Sequence, residues 1–162
     1  MTFGQAGDVP VVGDWRGTGR IALGLYRNGS FILDLSGHLS GVATGQADVT
    51  YAAFGQAGDV PVAADWNGSG TTKIGVFRNG SWVVDYDGDG AYTAADRTYT
   101  YGQAGDLPVI GDWDSSGRAS KIGVYRNGLW ILDYDGDNAW TVPVLNEMVL
   151  GFGSYGFQPL VF

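Results

Sequence analysis

The sequence predicts an all-β protein assembled from a tandem repeat, on three observations. Phe3-Gly-Gln-Ala-Gly-Asp-Val-Pro10 returns at Phe54 to Pro61 and, with Tyr and Leu exchanged in, at Tyr101 to Pro108. Each copy is followed by Asp-Trp, a β-branched run and an Arg-Asn-Gly turn. No segment carries the apolar spacing of a helix, only Tyr92 to Arg97 being able to form a helical turn. A repeat of this length is one supersecondary unit that buries its apolar face only against its neighbours, so fold and function belong to the array.

Within the first unit four runs qualify as strands. Val9 to Gly13, Ile21 to Tyr26, Phe31 to Leu35 and Val49 to Phe54 are short, β-branched or aromatic, and bounded by Gly, Asp and Asn. Pro10, Pro61 and Pro108 sit at strand starts, where a missing N–H costs no ladder bond. Arg27-Asn28-Gly29, Arg78-Asn79-Gly80 and Arg126-Asn127-Gly128 place Asn-Gly between two runs. Both turn residues tolerate positive φ there, so the second and third strands form a tight hairpin.

The repeat register sets units at 3–53, 54–100 and 101–151. A fourth copy begins at Phe152-Gly153 and supplies a single further strand at Pro159 to Phe162. Four strands in 47 to 51 residues predict β-propeller blades rather than solenoid coils. Three blades are few for a ring, and an open array leaves edges bare. The expectation is closure by self-association, for example two chains forming six blades, or a tight three-bladed form. The surplus strand would cover an edge or cross to a partner chain.

Phe-Gly…Gly-Asp-x-Pro-Val-x-x-Asp-Trp-x-Gly-x-Gly…Ile-Gly-Val-Phe-Arg-Asn-Gly-x-Trp, seen at Phe54 to Trp82, resembles the FG-GAP and related bacterial propeller repeats, similar to the integrin alpha-chain propeller. That resemblance implies an inner strand at Val60 to Ala64 followed by an acidic loop, and a bacterial extracellular or cell-surface setting. In such repeats the loop carries alternate Asp residues that cage calcium. Here it reads Asp14-Trp-Arg16-Gly-Thr18, Asp65-Trp-Asn67-Gly-Ser69 and Asp112-Trp-Asp114-Ser-Ser116, so only the first carboxylate persists in all three, with Asp114 remaining in the third. Arg20, Lys73 and Lys121 each precede an Ile, where the family pattern has Asp. The expectation is that these side-chain cations pair with Asp14, Asp65 and Asp112 and replace the metal.

A second loop set follows the third strand. Asp85-Tyr-Asp87-Gly-Asp89-Gly-Ala91-Tyr-Thr93-Ala-Ala-Asp96 fits a 12-residue calcium loop. It has acids at positions 1, 3, 5 and 12, Gly90 at 6, the Ala91 carbonyl at 7 and a hydroxyl at 9. It resembles a dockerin-like loop, the Asp at 12 having a shorter reach than Glu. Asp133, Asp135 and Asp137 repeat the first three ligands, but Asn138 replaces Gly and Val144 fills position 12. Asp34, Ser36 and His38 in the first unit are hardly a site.

A net charge of −8 argues against nucleic acid and anionic membrane surfaces, which are held by Lys and Arg. No stretch is long and apolar enough to span a membrane, and no cysteine is present, which removes disulfides and thiolate chemistry. The single His38 and single Glu147 have no sequence partner for acid–base work, so no catalysis is expected. Repeated aromatics permit weak multivalent binding: Trp82 and Trp130 at the third-strand position, with Tyr92 and Trp140 beside acidic loops. The expected role is a non-catalytic binding module, stabilised by calcium and self-associating, with a protein or glycan ligand. The alternatives are a carbohydrate-binding lectin using these aromatics and an appendage or fragment of a secreted hydrolase.

Overall fold

A computed structural model describes residues 3–36, 49–117, 120–140 and 147–151. His38, Val144 and the strand expected at Pro159 to Phe162 lie outside the described residues. Every described element is a strand, and none of the described residues forms a helix long and apolar enough to cross a membrane.

The twelve strands among the described residues make three four-stranded antiparallel sheets, one per repeat. Sheet 1 is β1 (Val9–Gly13), β2 (Ala22–Arg27), β3 (Ser30–Leu33) and β4 (Val49–Tyr51). Sheet 2 is β5 (Val60–Ala64), β6 (Lys73–Arg78), β7 (Ser81–Val84) and β8 (Arg97–Thr100). Sheet 3 is β9 (Leu107–Gly111), β10 (Lys121–Arg126), β11 (Leu129–Asp133) and β12 (Glu147–Gly151). Within each sheet the strands follow chain order, so every connection joins neighbours. The Asn-Gly turns have the expected backbone: Asn28, Asn79 and Asn127 lie at φ 48–51° and their glycines at 88–94°, both signs positive as a type I′ hairpin requires.

Strand alternation gives each sheet two apolar faces. Val11, Tyr26, Phe31 and Leu33 of sheet 1 meet Ile74 and Val76 of sheet 2. The other face of sheet 2, with Val62, Phe77, Trp82 and Val84, meets Ile122, Val124 and Ile131 of sheet 3. The first strands of successive sheets lie side by side, β1 near β5 and β5 near β9. Backbone bonds repeat at both junctions: the Thr72 amide donates to the Asp14 carbonyl and the Ser120 amide to the Asp65 carbonyl, each at 2.9 Å.

Each sheet is also locked at its hairpin end. Arg27 donates through Nε and Nη2 to Asp8 at 2.6 and 2.7 Å, Arg78 to Asp59 at 2.5 and 2.7 Å, and Arg126 to Asp106 at 2.6 Å twice. The same carboxylates accept the amides of Gln5, Gln56 and Gln103. The repeated Gly-Asp and Arg-Asn-Gly motifs are thus two ends of one bidentate clamp. The Arg27 hydrogen bonds hold the Asp8 carboxyl down at about 2, from an ordinary value of 3.8. A lowered folded-state pKa contributes stability that is present above the ordinary value and is lost as pH falls through the folded one. Urea midpoints should therefore decline between about pH 4 and pH 2, and Asp8→Asn should make that decline shallower. An unchanged acid limb in the variant would show that the pair does not couple to folding.

Candidate functional site

Two sets of polar loops close the sheets at the end opposite the Asn-Gly turns. In the first set, Asp65 accepts the amides of Ser69 and Gly70 at 3.0 and 2.7 Å, so a carboxylate organises its own turn. Buried Lys73 donates through Nζ to Asn67 Oδ1 at 2.8 Å, Ser69 Oγ at 2.6 Å and the Thr71 carbonyl at 3.0 Å, with Asp65 Oδ1 at 3.6 Å. Oxygens from alternate residues 65, 67, 69 and 71 therefore converge on an ammonium group. Asn67 Nδ2 also donates to the Tyr86 carbonyl at 2.8 Å, joining this loop to the second set.

The other two units differ from the pairing that the sequence predicts. Lys121 forms its ion pair with Asp114 and donates to the Tyr134 carbonyl at 3.1 Å, while Asp112 accepts the amides of Ser116 and Gly117. The Lys121 hydrogen bond holds the Asp114 carboxyl well below the carboxylate range. In the first unit Gly13 pairs with Ala22, as Ala64 pairs with Lys73 and Gly111 with Lys121. Ala22 is therefore the structural equivalent of the lysines. Arg20 stands two residues earlier on an exposed loop, and Asp14 is satisfied by the Thr18 and Gly19 amides, not by Arg20.

The second set places acids where a hard cation would sit. One carboxylate oxygen from each of Asp85, Asp87 and Asp89 lies within 4.8 Å of the others, and Asp133, Asp135 and Asp137 do the same. Asp85 is 1% exposed and accepts the amides of Gly88 and Gly90. Asp133 is fully buried and accepts those of Gly136 and Asn138. Burial pushes both carboxyls up to about 6. Asn138 takes φ 58° in the place of Gly90, a conformation that Asn tolerates, so both triplets form alike despite the sequence difference.

Asp96 stands close enough to Asp85 for its charge to raise that carboxyl. The Asp96 carboxylate accepts the Tyr86 amide at 2.8 Å and the Thr93 amide at 2.7 Å, and the Thr93 hydroxyl accepts the Ala95 amide. These residues close the loop. Three converging carboxylate oxygens are the donor chemistry calcium takes, so Asp85, Asp87 and Asp89 fit such an ion, with Asp133, Asp135 and Asp137 as the second such group. Asp34 accepts the Ser36 amide and hydroxyl.

The candidate ligand-binding aromatics divide by exposure. Trp82 is completely buried and donates from Nε1 to the Tyr101 carbonyl at 2.9 Å, which removes it from any surface. Sheet 3 covers it. Trp130 is half-buried, edge-on to Tyr125 with centroids 5.4 Å apart. Tyr92 is 62% and Trp140 37% exposed, Trp140 leaning on Tyr101 with Arg126 over its ring. Trp15, Trp66 and Trp113 each donate their indole N–H to a second-strand carbonyl, of Leu23, Ile74 and Ile122.

No family model, no curated protein and no solved structure matches the chain.

Proposed function

We propose that the chain is a non-catalytic interaction module: three propeller-type blades that associate through their open ends and are stabilised by calcium at the acidic loops. The observation that carries this reading is the recurrence of one blade junction, with the same apolar faces and the same 2.9 Å backbone bond, from sheet 1 to sheet 2 and from sheet 2 to sheet 3. A unit that stacks the same way twice is built for stacking. The acidic side chains that open the polar loops support it, since among the described residues Asp65, Asp85, Asp112 and Asp133 spend hydrogen bonds on the amides of their own turns.

Calcium would be held by Asp85, Asp87 and Asp89, and a second ion by Asp133, Asp135 and Asp137. Bringing three carboxylates together around a buried Asp85 is unfavourable without a cation, so the metal would rigidify the loops rather than do chemistry. An extracellular setting, where calcium is abundant, suits this role. A lectin role is the second reading, favoured by exposed Tyr92 and Trp140 beside the acidic loops. A glycan array run with calcium would support it through binding that Tyr92→Ala or Trp140→Ala removes. The role of an appendage to a secreted hydrolase is compatible with either.

Thermal midpoints over a hundredfold range of protein concentration, with calcium and with chelator, test the main reading. Association and metal binding stabilise the folded chain by mass action. The midpoint should rise with concentration and, at every concentration, be higher in calcium, with Asp85→Asn reducing the calcium increment. A midpoint independent of concentration removes the association half, and one indifferent to chelator removes the metal half.

A further inference from the structure

Equivalent positions in the three sheets are covered unequally. Leu23, Ile74 and Ile122 each precede the glycine that pairs with Val11, Val62 or Val109; Ile74 and Ile122 pack against the preceding sheet, and Leu23 holds the corresponding place on sheet 1. Ile74 is 1% and Ile122 0% exposed, whereas Leu23 is 37% exposed. Val12 is likewise exposed, while its equivalents Ala63 and Ile110 pack onto the cores in front of their sheets. Ile21 is 70% exposed at the position of Thr72 and Ser120, the residues whose amides reach the preceding sheet. The open part of this face of sheet 1 is thus Val12, Ile21 and Leu23, with Leu25 in its middle already buried, and no described sheet stands before it.

The matching half is at the other end of the chain. Val109, Tyr125 and Leu132 with Trp113 form a cluster on the far face of sheet 3. They stand where Val62, Phe77, Val84 and Trp66 receive sheet 3, and where Val11, Tyr26, Leu33 and Trp15 receive sheet 2. Trp15 and Trp66 are buried under the sheet they receive, but Trp113 is only half-buried. Leu150, which pairs with Trp130 on this face, is 48% exposed.

We propose that the outer face of sheet 1 docks onto the outer face of sheet 3 of a second copy, head to tail, continuing the junction already made twice within the chain. The Ile21 amide would donate to the Asp112 carbonyl of the second copy, as Thr72 does to Asp14. Val109 and Leu132 are already buried within the chain, so Leu23 and Val12 would meet the half-buried Trp113 and Trp130 and the exposed Leu150 of that face. Such a contact is heterologous, and two chains close it into a ring when the accumulated rotation allows. The inference rests on the association reading above and adds which surfaces carry it.

Complementation tests it. Leu23→Glu and Leu150→Glu alter side chains already exposed, so each variant should fold with unchanged circular dichroism. Each alone should lose the closed assembly, because one of the two faces is spoiled in every chain. An equimolar mixture should form a heterodimer through the one intact pair of faces, seen as a dimer peak in sedimentation velocity. If the wild type associates but Leu23→Glu or Leu150→Glu associates equally well, the surfaces are wrong while the association reading stands. If neither variant's loss is complemented by mixing, the contact is not head to tail. A monomeric wild type overturns both.

Discussion

Replacing Trp82 by Ala is expected to lower unfolding free energy by about 4 kcal/mol, the scale for deleting a buried aromatic side chain. Trp82 has no exposed surface, sits 5.0 Å from the Phe77 ring, and spends its only donor on the Tyr101 carbonyl. The substitution opens a cavity at the junction of sheets 2 and 3 and also leaves that carbonyl without its indole partner. Against a total stability of about 5–15 kcal/mol, a urea titration should show the midpoint falling by a large fraction. Trp140→Ala, at the half-exposed ring, should cost under about 1 kcal/mol. Equal losses from the two would mean that the sheet 2–sheet 3 junction is not a packed core.

Gly80→Ala is the second large effect. Gly80 lies at φ 91°, and an added Cβ would stand 2.5 Å from the Gly102 carbonyl oxygen and 2.7 Å from its carbon. Both are backbone atoms of the segment that the Gly80 carbonyl anchors through the Tyr101 amide at 2.8 Å, so neither can rotate away. The left-handed conformation alone costs an alanine about 1–2 kcal/mol, and the backbone collision should bring the loss to about 3 kcal/mol or more. Gly58 separates the two causes, with φ 92° and no atom within 4 Å of an added Cβ. Gly58→Ala should show the conformational cost alone. Similar midpoints for the two variants would deny the close approach of the hairpin to the next repeat.

The strands and hairpins were legible because their signals are local. Asn-Gly demands positive φ at two successive residues, and runs such as Lys73–Arg78 carry β-branched and aromatic side chains between polar turns. The acidic triplets were legible too, since alternate Asp residues on one loop necessarily approach each other. What the sequence hid depends on pairing. Ile21 and Leu23 are two residues apart, share a face, and precede the same run, so either serves as the counterpart of Ile74 until the Gly13–Ala22 register decides it. That register moves the lysine position onto Ala22 and dissolves the expected Asp14–Arg20 pair. Trp82 was hidden for a related reason: alternation places it on a face, and only the stacking of sheets says that the face is covered. Lys121 pairs with Asp114 because a carboxylate stands there, where the second unit offers Lys73 only the Asn67 amide oxygen.

The Asp–Arg clamps were open to detection, as both partners recur in all three copies. Their separation of about 20 residues puts them outside any contiguous motif, and only the return of the hairpin brings them together. Asn138 shows the opposite case, a substitution that looks disruptive in sequence and is absorbed because Asn enters the left-handed region.

In the proposed head-to-tail contact, the outer faces of sheets 1 and 3 cover one another between two copies. The mass of the wild-type protein in solution, by sedimentation equilibrium in calcium at micromolar concentration, tests it most directly. A closed pair of twice 17.1 kDa, dissociating on dilution, is the expected result. A single species of 17.1 kDa at every concentration would contradict it.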